Sequence, residues 1–123
     1  RRGGNVERVR TVPDEFVRRV SEAALLVADP KIQLKTLQSI PGIGPATGTV
    51  ILTFYDPENY GIGDRYILDE FLEKDGQMGV TDYSDILEAL RDRNPGDFDL
   101  RTVEKAYYQR YRVENDVGDF GDL

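Results

Sequence analysis

The stretch that decides the fold is rich in glycine and proline: Leu37-Gln38-Ser39-Ile40-Pro41-Gly42-Ile43-Gly44-Pro45-Ala46-Thr47-Gly48. It reads as the end of one helix, a short turn and the start of a second helix. We expect the turn to need glycine at positions 42 and 44, where a positive φ angle or a close approach is required. Pro45 suits the first turn of the second helix, because its missing N–H would have no intrahelical partner there. Ile43 can insert into the core between the two glycines.

The start of that second helix is predicted to bind an anion. Free main-chain N–H groups would converge there, and both these donors and the helix dipole favour a phosphate. The residues predicted to contact a nucleic-acid backbone are Pro41, Gly42, Ile43, Gly44, Ala46 and Thr47. Such contacts position DNA without reading its sequence. The alternative is an ordinary corner between two helices that binds nothing.

The charge pattern can be read in two ways. Residues 31–55 contain no acidic residue, although the chain holds 23 acids among 123 residues. The stretch is apolar, so burial explains part of this absence, and a phosphate-facing surface explains it as well. The formal net charge of −7 argues at face value against a polyanionic partner. At about 1 M salt, however, the Debye length is only about 3 Å, so distant acids barely repel a phosphate.

Composition sets further limits. The chain has no cysteine and no histidine, which excludes disulfides, thiolate chemistry and the usual zinc sites. It has no apolar run of about 18 residues that could span a membrane, and we expect a cytoplasmic protein. Many aspartates and few lysines are typical of halophilic archaeal proteins, although an ordinary acidic protein remains the alternative.

Local start signals predict an all-α, compact domain of about six helices. Proline or aspartate precedes helical apolar spacing at five places: Pro13, Asp29-Pro30, Pro45, Asp64 and Asp99. Apolar spacing alone marks one more helix, with Tyr83, Ile86, Leu87 and Leu90 on its buried face. On the helix over residues 45–55, Val50, Ile51 and Phe54 are predicted to face inward. We expect a single domain over residues 1–123, with a basic arm at residues 1–12, a helix-hairpin-helix at 31–55 and an acidic tail at 113–123.

Residues 34–71 resemble the helix-hairpin-helix superfamily of DNA glycosylases, which includes endonuclease III and the adenine mismatch glycosylase. The resemblance rests on the P-G-I-G-P-A-T-G motif after a helix end, and on Asp64, which stands 18 residues after Ala46. It implies a DNA-binding domain with a role in DNA repair. In this family, carbonyl groups at the turn hold a monovalent cation such as potassium, here those of Gln38, Ile40 and Ile43. Residues 99–112 look like the last helix of a short branch of the same superfamily.

The resemblance also sets limits on chemistry. Ala46 occupies the catalytic lysine position of the bifunctional enzymes, so a Schiff-base route is closed at that site. Lys35 and Lys74 are not close in sequence, so an enzyme of this kind would be monofunctional. The family builds its base pocket with several helices before the hairpin, whereas only about 35 residues precede it here.

Asp64 is the candidate catalytic carboxylate, since by resemblance it would stabilise a sugar cation or activate water. Aspartate at a helix start is also a routine N-cap, and the two roles are compatible. We expect the helix dipole and local amides to favour its charged form. Arg65 is predicted to reach a phosphate or to stack on a base, the alternative being a solvated side chain.

Three functions therefore stay open after the sequence. The first is a non-catalytic DNA-binding domain on a glycosylase-like scaffold. The second is a monofunctional DNA glycosylase of base excision repair that uses Asp64. The third is a protein-interaction module in which the hairpin merely packs.

Overall fold

A computed structural model describes residues 12–116, and within them the chain forms six α-helices and no strand. The helices are α1 (Asp14–Leu25), α2 (Pro30–Leu37), α3 (Pro45–Tyr55), α4 (Arg65–Leu72), α5 (Tyr83–Asp92) and α6 (Leu100–Glu114). The predicted all-α architecture is confirmed. No helix among the described residues is long and apolar enough to cross a membrane.

Two helices begin at aspartate caps, as predicted. The Asp29 side chain accepts hydrogen bonds from the first amides of α2, and the Asp64 side chain does the same for α4. Asp99 precedes α6, but its side chain makes no capping hydrogen bond. Instead, the Leu100 N–H donates to the carbonyl of Glu58 at 3.1 Å. The loop after α3 thus caps α6, which brings the C-terminal helix against the middle of the chain.

The core lies between all six helices, with α1 contributing Ala24. Its fully or nearly fully buried apolar residues are Ala24, Leu34, Leu37, Ile40, Leu52, Ile67, Leu68, Met78, Tyr83, Ile86, Leu87, Leu90, Leu100 and Val103. The predicted buried face of α5 is confirmed in full.

The inward face predicted for α3 is wrong for Val50 and Phe54. Phe54 is 79% exposed and Val50 is 45% exposed, while Ile51 is only partly buried. The buried face instead carries Gly48 and Leu52, together with two threonines. A Cβ on Gly48 would lie 2.9 Å from a methyl carbon of Leu34, so glycine lets α2 approach α3 closely on that side. This close contact turns Val50 and Phe54 outward.

The end of α6 modifies one predicted boundary. Val113 and Glu114 belong to α6, and Asn115 and Asp116 form a turn after it. The predicted acidic tail therefore begins later than position 113. Residues 1–11, which hold nearly all of the predicted basic arm, and residues 117–123 lie outside the described residues.

Candidate nucleic-acid interface and carboxylate cleft

The α2–α3 turn (residues 38–44) is a tight turn in which the two glycines differ. The Ile43 N–H donates to the Ile40 carbonyl at 3.1 Å and closes the turn. Gly42 has a φ angle of 91°, so the predicted need for glycine is confirmed there. Gly44 has an extended backbone with φ −97°, and no heavy atom lies within 4 Å of the position that its Cβ would take. The fold itself therefore does not require glycine at position 44.

The N-terminus of α3 is open. Gly44 is its N-cap and supplies no side-chain hydrogen bond. The first intrahelical donor is Gly48, whose N–H lies 2.9 Å from the Gly44 carbonyl. Within residues 12–116, the N–H groups of Gly42, Gly44, Ala46 and Thr47 have no acceptor. The amides predicted to bind phosphate are thus available for an external ligand.

The three carbonyl groups predicted to hold a monovalent cation lie in the same turn. Among the described residues, the carbonyls of Gln38 and Ile43 accept no hydrogen bond. The Ile40 carbonyl accepts one, from Ile43, and each carbonyl oxygen has two lone pairs. All three oxygens therefore have free acceptor capacity. The described residues contain no cluster of three or more acidic side chains that would hold a metal ion.

Residues 61–64, which we name the junction loop, form hydrogen bonds with three different helices. The Tyr83 hydroxyl of α5 donates to the Gly61 carbonyl at 2.6 Å. The Ile62 N–H donates to Oε1 of Glu104 on α6 at 3.0 Å. The last residue of the loop, Asp64, then caps α4. The position of Asp64 is consequently fixed by the packing of the whole helical domain.

Thr49 connects the junction loop with the first turns of α3. Its Oγ1 accepts a hydrogen bond from the Gly63 N–H at 2.9 Å and donates one to the Ala46 carbonyl at 2.7 Å. Gly63, the residue before Asp64, is thus linked to the first turn of α3 through the two hydrogen bonds of Thr49. The start of α3 and the residue before the candidate carboxylate therefore share Thr49 as a common hydrogen-bond partner.

A cleft of about 500 Å³ lies beside Asp64, between the start of α4 and α6. Its walls are formed by Ile62, Asp64, Arg101, Glu104, Lys105, Tyr108 and Gln109. Glu104 is only 2% exposed and forms a salt bridge with Arg101. The sequence analysis missed Glu104, although one signal was present. With Leu100 and Val103 it lies at helical spacing on the buried face of α6, where an acidic residue is unexpected.

Burial dominates the ionisation of both carboxyl groups. It raises the pKa of Asp64, against the opposing effect of the hydrogen bonds from the Ile67 and Tyr66 amides. The amides do favour the charged form of Asp64, as expected, but desolvation outweighs them in the net pKa shift. Burial likewise raises the pKa of Glu104, against the hydrogen bond from Ile62 and the Arg101 guanidinium.

Two basic residues near Asp64 have different surroundings. Arg65 is exposed, and its guanidinium lies on the Tyr66 ring, 5.1 Å from the ring centre, with a hydrogen bond of 3.1 Å to the Tyr66 hydroxyl. Lys105 is exposed at the mouth of the cleft. Lys105 is far from Ala46 along the chain, and the fold brings it to the cleft from α6.

The structure thus links the start of α3 to the junction loop through Thr49, and the Asp64–Glu104 cleft lies on the far side of that loop, between α4 and α6. Ala46, at the lysine position of the resemblance, lies at the start of α3 and its carbonyl is bonded to Thr49. Comparisons of the chain with protein families, with curated proteins and with solved structures found no match.

Proposed function

We propose that the chain is a DNA-binding domain that grips the phosphate backbone through the α2–α3 turn, with a role in DNA repair. The observation that carries the proposal is the open N-terminus of α3. Gly44 offers neither a capping side chain nor a Cβ, and the amides of Ala46 and Thr47 have no acceptor within the described residues. A phosphate oxygen can approach these amides, where the helix dipole also favours its charge.

The surrounding charges support this arrangement. Residues 31–55 carry no acidic side chain, and both lysines of α2, Lys31 and Lys35, are exposed. Arg65 is also exposed, at the start of α4, and adds a further cation for a phosphate. Acids elsewhere on the surface are screened over distances longer than the Debye length.

A potassium ion completes the proposed phosphate site. Carbonyl oxygens are neutral ligands, so a set made of Gln38, Ile40 and Ile43 suits a monovalent cation better than a divalent one. An ion held there would attract a phosphate oxygen and reinforce the amide donors.

Duplex DNA binding by wild type and by Gly44→Asp tests the proposal. The new carboxylate would stand where the phosphate is expected, and repulsion at such short range is weakly screened. We expect binding to fall by at least tenfold. Gly96→Asp is the matched control, because it adds the same charge in the exposed loop between α5 and α6. Equal affinity of wild type and Gly44→Asp would remove the turn from the binding surface.

The second candidate is a monofunctional DNA glycosylase, and the position of Asp64 on the cleft favours it. Asp64→Asn keeps an acceptor for the cap while it removes the charge. Base release from damaged duplexes should then fall about 100-fold with little change in DNA affinity. Borohydride trapping of a protein–DNA adduct would contradict the monofunctional reaction, and Lys105→Met would identify whether Lys105 supplies the amine. Wild type should be tested on deaminated, oxidised, alkylated and mismatched duplexes. If it releases no base from any of them, only the DNA-binding function remains as a candidate.

A further inference from the structure

The first turn of α3 is hydrogen-bonded to the rest of the helix through carbonyl groups alone. The first intrahelical donor is the Gly48 N–H, so Pro45, Ala46 and Thr47 contribute no N–H bond within the helix. The direction of the free amides at this helix end therefore depends on how the neighbouring carbonyls are bonded. A contact that fixes one of these carbonyls also fixes an amide, because each peptide unit is planar and trans.

The Ala46 carbonyl has a partner from a side chain of the same helix. The Thr49 hydroxyl donates to it at 2.7 Å. In a regular helix this carbonyl also accepts from the amide four residues further on, and its oxygen has two lone pairs for the two donors. The Ala46 carbonyl and the Thr47 N–H belong to the same peptide unit. The Thr49 hydroxyl thus constrains the direction of the Thr47 N–H, one of the amides proposed to bind phosphate.

The junction loop determines the direction of that hydroxyl. The Gly63 N–H donates to Thr49 Oγ1 at 2.9 Å. A hydroxyl has one hydrogen and two lone pairs, so the Gly63 amide occupies an acceptor position and the hydroxyl hydrogen remains for Ala46. Thr49 is fully buried, so water does not compete for either bond. Hydrogen bonds joined in this way strengthen one another.

The junction loop packs closely at this point. A Cβ on Gly63 would lie 2.5 Å from the sulfur of Met78, which is buried in the core. Glycine therefore lets the loop backbone approach the core. The preceding residue, Ile62, donates its N–H to Glu104 of α6. The hydrogen bond from Gly63 to Thr49 thus comes from a backbone segment that both the core and α6 fix in place.

We propose that Thr49 is the positioning residue of the phosphate site: its hydroxyl, oriented by the junction loop, aligns the Thr47 N–H with the bound phosphate. This inference rests on the phosphate site proposed above for the α2–α3 turn. Because Thr49 is fully buried, it does not touch DNA and acts only through the Ala46–Thr47 peptide unit.

The test compares the full-length wild-type chain with three variants of α3 for binding of a fluorescein-labelled duplex. Thr49→Val removes the hydroxyl and keeps the branched shape, whereas Thr49→Ser keeps the hydroxyl. Thr53→Val is the matched control. Thr53 is also buried in α3 and makes the same kind of bond, to the Thr49 carbonyl at 2.7 Å, one turn further from the helix start.

We expect Thr49→Val to bind the duplex about three- to tenfold more weakly than wild type, the range that corresponds to one hydrogen bond. Thr49→Ser and Thr53→Val should bind within about twofold of wild type, although Thr53→Val also loses a buried hydrogen bond and therefore stability. If Thr49→Val does not fold, Thr49→Ala and Thr49→Ser make the same comparison, because these two variants differ only in the hydroxyl.

Two-dimensional amide NMR spectra provide a readout at the amide itself. The Thr47 resonance should shift on addition of duplex in wild type and Thr49→Ser, and should shift less in Thr49→Val. Wild-type affinity in Thr49→Val, or an equal loss in Thr53→Val, would overturn the inference, while a loss in Gly44→Asp would still support the phosphate site. Equal affinity of wild type and Gly44→Asp would instead reject the phosphate site and the role of Thr49 together.

Discussion

Gly42 and Gly44 lie two positions apart in the same turn and have different backbone conformations. At Gly42 the φ angle of 91° strains any residue with a side chain. At Gly44 the backbone is extended and the space around the missing Cβ is empty. The conformation of the chain therefore accounts for the first glycine, whereas at the second the open space is compatible with the phosphate contact proposed for this turn.

The two glycines should accordingly respond in opposite ways to substitution. Gly42→Ala should lower the free energy of unfolding by about 1 kcal/mol, because the left-handed conformation is unfavourable for alanine. Gly44→Asp should raise it by a few tenths of a kcal/mol, because aspartate caps a helix slightly better than glycine. Urea unfolding measures both. A loss of stability in Gly44→Asp similar to that in Gly42→Ala would show that position 44 is strained after all.

At the scale of the elements, the sequence predicted where helices begin better than which side they bury. Asp29, Pro45 and Asp64 mark helix starts through contacts with their own neighbours in the chain, so these starts were predictable. The buried side of α3 was not predictable, because the helix contains no charged residue that would mark its exposed side. Its orientation depends on how closely α2 approaches Gly48, a tertiary contact that periodicity does not encode.

Substitutions on the two sides of α3 should separate these faces. Phe54→Ser should change the free energy of unfolding by no more than about 0.5 kcal/mol, because Phe54 is largely exposed. Leu52→Ala should cost about 2–5 kcal/mol, because Leu52 is fully buried. Chemical denaturation of both variants measures the difference. A large loss of stability in Phe54→Ser would show that Phe54 is part of the core.

The same reasoning applies to the candidate site. The α2–α3 turn and Asp64 were predicted because their signals are local in sequence. Glu104 and Lys105 were missed because they reach the cleft from the last helix, and only the packing of α6 brings them there.

For the whole molecule, the distribution of charge matters more than the net value of −7. Residues 31–55 have only basic charges, whereas the acids that outnumber the basic residues lie mainly after position 55. A phosphate at the open end of α3 would thus meet main-chain amides and only a few cations. The proposed binding surface therefore depends less on counterion release than a basic surface would.

The salt dependence of DNA affinity should consequently be weak. With two or three phosphates neutralised by cations, the slope of log K against log salt should be about −2 to −3. Fluorescence anisotropy with a labelled duplex, over a series of salt concentrations, measures the slope. A slope near −8 would assign the binding to a broad basic surface rather than to the α2–α3 turn.

The hydrogen bond between Ile62 and Glu104 spans 42 positions along the chain, and this separation sets the order in which the molecule is assembled. The turn between α2 and α3 is closed by bonds between residues only a few positions apart. It can form once those two helices have left the ribosome, whereas the carboxylate cleft also needs α6, which is synthesised after the other five described helices. Closing the longer loop also costs more chain entropy. Detachment of α6 would remove Glu104 and Tyr108 from the cleft, whereas the hydrogen bonds that close the turn lie wholly within residues 34–43.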